Sequence, residues 1–220
     1  MKKPMFAALA LSAAATISLT ACDNQTDANE KNFSAALNQH FEKTGDLCLG
    51  ILFWPQEARK TEADGRHIWL AALAKKGLLN VEDTEVSSIW NNKTKVHGKR
   101  YSPSDTAKPF LRESDLSDHE QNILEFLKLD DPDLYERLPN NGKKNDLCWG
   151  KMHLDKIVKW DTPDASKVTV FYTYKIDDFA DWAKDKDIRD SLNLNKKIEE
   201  AGVEEKTITL HLTNLGWEVR

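Results

Sequence analysis

The sequence predicts an α+β fold: a mainly helical first lobe, then a small antiparallel sheet with helical cover. Two patterns carry that reading. Residues 33–138 hold apolar stripes at helical spacing, and beyond residue 145 the apolar spacing changes to two. Between them Pro139-Asn140-Asn141-Gly142-Lys143-Lys144-Asn145 is the clearest break, so a linker at 139–145 is expected between lobes 33–138 and 146–220. With 40% hydrophobic residues, among them eight Phe, seven Trp and four Tyr, the 220-residue chain has enough apolar surface for a core. That excludes a disordered chain, a collagen and a coiled coil.

The elements follow in order. Phe33, Ala36, Leu37, His40 and Phe41 form one stripe of a helix that Gly45 can end. Leu49-Gly50-Ile51-Leu52-Phe53-Trp54, stopped by Pro55, reads as a buried strand or a short helix, which pattern alone does not separate. Ile68 to Lys76 is a second helix closed by Gly77, and Val81 to Arg100 is a polar stretch carrying Val86, Ile89 and Trp90. Ser117-Asp118-His119-Glu120 is a capping box, with Ser at the N-cap and Glu three residues on. It opens a helix whose Ile123, Leu124, Phe126 and Leu127 are expected to be buried. Asp131-Pro132 starts another short helix through Leu134, Tyr135 and Leu138. In the second lobe Met152–Trp160 is a strand; Val168, Val170, Tyr172, Tyr174 and Ile176 alternate with polar neighbours, as do Ile208, Leu210 and Leu212. Asp177 to Ala201 supplies one or two helices.

The N-terminal residues read as an export signal. Lys2 and Lys3 precede an apolar stretch, Phe6 to Leu19, which is short of the ~20 residues that span a bilayer. It ends in Leu19-Thr20-Ala21-Cys22, which resembles the lipobox of bacterial lipoprotein export signals. The resemblance implies removal of residues 1–21, a diacylglycerol thioether on Cys22 and an acyl chain such as palmitate on its new amine. The protein would then stay on a membrane, on its periplasmic side within the cell envelope, since two or more acyl chains anchor stably where one does not. An ordinary secretory signal with a nearby Cys is the plainer alternative. Asp23-Asn24 after the Cys resembles the signal that, in enteric bacteria, retains lipoproteins in the inner membrane. Residues 22–32 read as the lipidated Cys and a flexible tether, because Asp23 to Asn32 contains no large apolar residue. Its ten residues could hold the body up to roughly 35 Å from the lipid.

Assigning Cys22 to lipid leaves Cys48 and Cys148, each in a near-identical pentapeptide, Asp46-Leu47-Cys48-Leu49-Gly50 and Asp146-Leu147-Cys148-Trp149-Gly150. In an oxidising compartment they are expected to pair and join the lobes. A redox-active pair is the alternative, although such pairs usually stand as Cys-X-X-Cys.

Charge and motifs narrow the function. Loss of Lys2 and Lys3 with the leader takes the formal net charge from −5 to −7, which disfavours nucleic acid as a partner. There is no nucleophile elbow, no phosphate-cradling glycine loop and no HExxH, and the six His (40, 67, 97, 119, 153, 211) lack the spacing of a helical zinc pair. The sequence therefore nominates no catalytic residue, no metal ligand and no cofactor. Asp130, Asp131 and Asp133 read as helix caps rather than a calcium loop.

Candidate partner contacts are Trp54 and Trp90, which fit no apolar stripe, and the basic run containing Lys93, Lys95, Lys99 and Arg100. That run is either a solvated hairpin tip or a loop that docks an acidic partner. The helix ending Lys75-Lys76-Gly77-Leu78-Leu79 and the later Tyr101-Ser102-Pro103 and Lys108-Pro109-Phe110-Leu111 resemble the recognition helix and wing of a winged-helix module over residues 66–111. The expected function is a membrane-anchored, non-enzymatic binding or accessory module for an envelope protein or cell-wall partner. An envelope enzyme of hydrolase type is the alternative.

Overall fold

The computed structural model describes residues 24–59, 65–87, 94–130, 132–136, 143–164 and 166–220. In chain order the elements are α1 (Glu30–Thr44), β1 (Asp46–Cys48), β2 (Gln56–Arg59), α2 (Arg66–Lys75), β3 (Leu79–Ser87), β4 (Lys95–Pro103), β5 (Leu111–Asp115), α3 (Asp118–Asp130) and α4 (Pro132–Glu136). There follow β6 (Lys143–Trp160), β7 (Lys167–Asp177), α5 (Lys186–Ser191), α6 (Asn195–Glu200), β8 (Lys206–Thr213) and β9 (Gly216–Val219).

The fold is mixed α and β, with every strand pairing antiparallel. One sheet runs β1-β6-β7-β8-β9, and β5 pairs with the first residues of β6. The other is a three-stranded sheet in the order β2-β4-β3. Helix α1 starts where the Asn29 side chain accepts the Asn32 N–H, a bond that satisfies one of the free donors of the first turn. Its Phe33, Ala36, Leu37 and Phe41 are buried, as the stripe predicts. They pack on Val168, Val170, Tyr172, Tyr174, Leu210 and Trp217, the inward-facing residues of the sheet. Phe33 meets Trp217 edge to face at 5.3 Å and Trp160 at 5.4 Å. Gly45 lets the helix end lie directly on β6, because a Cβ there would collide with the carbonyls of Phe41 and Met152.

A second cluster gathers Leu70 and Leu73 of α2, Leu79, Tyr101, Leu147, Trp149, Trp182 and Ile188. Each cluster draws on residues from both sides of 139–145, and β6 already begins at Lys143. The division expected at that break is therefore not how the core is partitioned: α1 packs on the later strands, and β1 and β5 complete β6. Burial is shared because the long strand β6 has more edge to pair than the second half of the chain can cover.

Three further expectations change. Residues 49–54 form neither strand nor helix, because Gly50 takes φ +80 and the N–H groups of Gly50 and Ile51 turn to the Asp146 carboxylate instead of a strand partner. The capping box is present, Ser117 N–H donating to Glu120 at 2.9 Å and Glu120 N–H to Ser117 Oγ at 3.3 Å, but no residue of α3 is buried. Phe126 is 65% and Leu129 84% exposed, since periodicity defines an apolar face without supplying anything to cover it. Finally, residues 24–32, expected as a tether, are held against the body: Trp217 Nε1 donates to the carbonyls of Thr26 and Asp27, both at 3.2 Å.

Candidate functional site

The first candidate is the cross-linked strand pair. The Cys48–Cys148 disulfide joins β1 to β6, so the two pentapeptides lie side by side and antiparallel. Leu47 faces Gly150 and Cys48 faces Cys148, which leaves Trp149 as the extra residue of a bulge. Trp149 is buried, edge-on to Phe179 at 5.6 Å.

The equivalent aspartates stand in opposite environments. Asp46 is exposed, whereas Asp146 is only 4% exposed. Asp146 accepts from Gly50 N–H at 2.9 Å, Ile51 N–H at 3.0 Å and Leu147 N–H at 2.7 Å. Burial pushes its carboxyl above the usual range, although those three donors pull against the shift.

Of the predicted partner contacts, Trp54, Lys95, Lys99 and Arg100 lie within the described residues. Trp90 and Lys93, like Cys22 and Asp23, lie outside the described residues. Half-buried Trp54 packs against the second cluster and donates its indole N–H to Asn145 O at 2.8 Å, so it braces the 49–54 loop on β6. Lys95 opens β4 opposite Ser87. Lys99 pairs with Asp83 at 3.1 Å, and Arg100 with Glu57 at 2.9 Å and Glu82 at 3.9 Å. Acids on β2 and β3 thus meet the basic run of β4.

A cavity of about 510 Å³ lies beside α6, lined by Met152, Tyr172, Tyr174, Lys196, Glu200 and Lys206. Lys206 donates to Glu200 at 2.9 Å and pairs with Glu204 at 3.0 Å. The hydrogen bond between them lowers the Glu200 pKa and raises that of Lys206, while burial raises Tyr172 and Tyr174. Every one of these shifts moves the group away from neutral pH, the reverse of what general acid–base chemistry requires. Among the described residues no group of three His, Cys, Asp or Glu could hold a metal ion. Nor, among them, is any helix long and apolar enough to cross a membrane.

The second candidate is the end of the molecule where the chain approaches α1. Asn32 Nδ2 donates to the carbonyls of Asn24 and Asp27, both at 2.9 Å. Gln25 lies beside β9 at Gly216, which takes φ +114 and where a Cβ would stand 3.0 Å from Gln25 O. A second cavity of about 370 Å³ opens here beside Gln25, Asn32, Gln39 and Leu215. Sequence reasoning missed this end; an apolar Leu at the tip of Thr213-Asn214-Leu215-Gly216, between two strands, is the signal that could have found it. No protein-family model, curated protein or solved structure matches the chain.

Proposed function

We propose that the chain is an envelope lipoprotein, anchored through Cys22 on the periplasmic side of a membrane, whose body is a non-enzymatic binding or accessory module. The observation that carries this reading is the Cys48–Cys148 disulfide. It fits an oxidising compartment, and of the three cysteines it leaves Cys22 alone for lipid. Asp23-Asn24 favours the inner membrane if the host is enteric. The exposed Phe126 and Leu129 of α3 support a protein partner over a small molecule. A winged-helix-like arrangement of residues 66–111, used for protein contact, has in its support that α2 is followed by the antiparallel pair β3 and β4.

The anchor is tested by feeding cells an alkyne-bearing palmitate. Wild type should be labelled and Cys22→Ala should not; equal labelling would refute the assignment. A photo-crosslinking residue at Phe126 in intact cells should then capture one abundant envelope protein, and an uncaptured α3 would remove the binding reading.

A further inference from the structure

We propose that the end formed by the approach to α1, β9 and the β8–β9 turn sits directly on the phospholipid surface, with Leu215 inserted among the acyl chains. The proposal rests on the Cys22 anchor. Without the contacts of residues 24–32, a ten-residue tether could hold the body roughly 35 Å away. Those contacts remove most of that reach. Asn24 is fixed through Asn32 and Asp27, and Thr26 and Asp27 through Trp217, while Gln25 lies so close to Gly216 that a Cβ there would crowd it. Only Asp23 stands between Asn24 and Cys22, so two Cα steps, at most about 7 Å, join the acylated residue to a fixed point on the body.

What lies at that point suits a lipid surface. Leu215 is 71% exposed at the tip of a turn, next in sequence to the glycine beside Gln25. The turn is rigid: Leu215 N–H donates to Thr213 Oγ1, and Thr213 Oγ1 donates to Gly216 O, both at 3.0 Å. An apolar side chain on a fixed tip loses little freedom when it enters the hydrocarbon boundary. The amides of Gln25, Asn32 and Gln39 line the cavity beside it, together with Lys31, which is itself engaged within the protein. The body is acidic, so the contact depends on apolar insertion and should not strengthen with the anionic lipid fraction.

The test uses the lipidated full-length protein in vesicles of phosphatidylethanolamine and phosphatidylglycerol. With Cys22 acylated and Cys48–Cys148 closed, Leu215→Cys supplies one free thiol for an environment-sensitive dye, and Val203→Cys, beyond the opposite end of β8, supplies the comparison. Nitroxide-bearing lipids should quench the dye at 215 severalfold more than at 203, independently of phosphatidylglycerol content. Equal, weak quenching at both positions in protein that floats with the vesicles would overturn the seating alone. Failure of the wild type to float would overturn the anchor and the seating together.

Discussion

Replacing Asp146 with Ala should destabilise the protein far more than the same change at Asp46, although both open a matching Asp-Leu-Cys pentapeptide. Two of the three N–H groups that Asp146 accepts, those of Ile51 and Leu147, are buried, while Gly50 can turn to water. A buried N–H stripped of its acceptor costs about 1–3 kcal/mol, so the alanine variant should lose about 2–6 kcal/mol out of a typical 5–15. Asn keeps one carbonyl oxygen and removes a charge that burial disfavours, so Asp146→Asn should lose about 1–2 kcal/mol. Asp46→Ala, on the exposed side of β1, should change stability by no more than about 0.5 kcal/mol. Urea unfolding of the oxidised protein, followed by tryptophan fluorescence, reads all three. An alanine variant at 146 within about 0.5 kcal/mol of wild type would refute the claim that this carboxylate holds the 49–54 loop.

The disulfide should leave no thiol at 48 or 148 reactive in denatured, unreduced protein and expose two after reduction; Cys48→Ser with Cys148→Ser should cost up to the ~4–5 kcal/mol of the chain-entropy estimate for a 100-residue loop. Glu120, bonded to Lys144 at 2.6 Å and to Ser117, ties α3 to β6; desolvation opposes its charge, yet those bonds hold its pKa at about 2. Its folded pKa lies below the unfolded one, so it stabilises above about pH 4.5 and that contribution is lost as pH falls through about 2. Allowing for partial exposure, Glu120→Gln should cost about 1–2 kcal/mol near neutral pH and nothing at the acid end; a gap that persists at the acid end would contradict the pairing.

What the sequence made legible is local. The α1 stripe, the alternation of β7 and the capping box of α3 each follow from neighbours a few residues apart, and each is present. The short strands β1 and β5 carry no alternation of their own; they exist because β6 is long enough to need partners, which no local window contains. The basic run of β4 looked free because the acids that meet it, Glu57, Asp83 and Glu82, reach it only through sheet pairing. Trp54 looked exposed for the same reason: its hydrogen-bond partner is Asn145. The paired pentapeptides did foretell the cross-link, but not that the 49–54 loop would fold over one aspartate and leave the other exposed.

The cross-link also sets how the molecule bears load. Tension applied between the N- and C-terminal ends passes along α1 and β1, crosses at Cys48–Cys148 into β6, and continues through β7, β8 and β9. The 99 residues between the two cysteines are bypassed, so the about 330–360 Å of contour in those 100 Cα steps cannot be paid out while the bond is intact. The β2-β4-β3 sheet, α2 and α3 lie off this covalent line and are held to it by the second core cluster, the β5–β6 pairing and the Glu120–Lys144 ion pair.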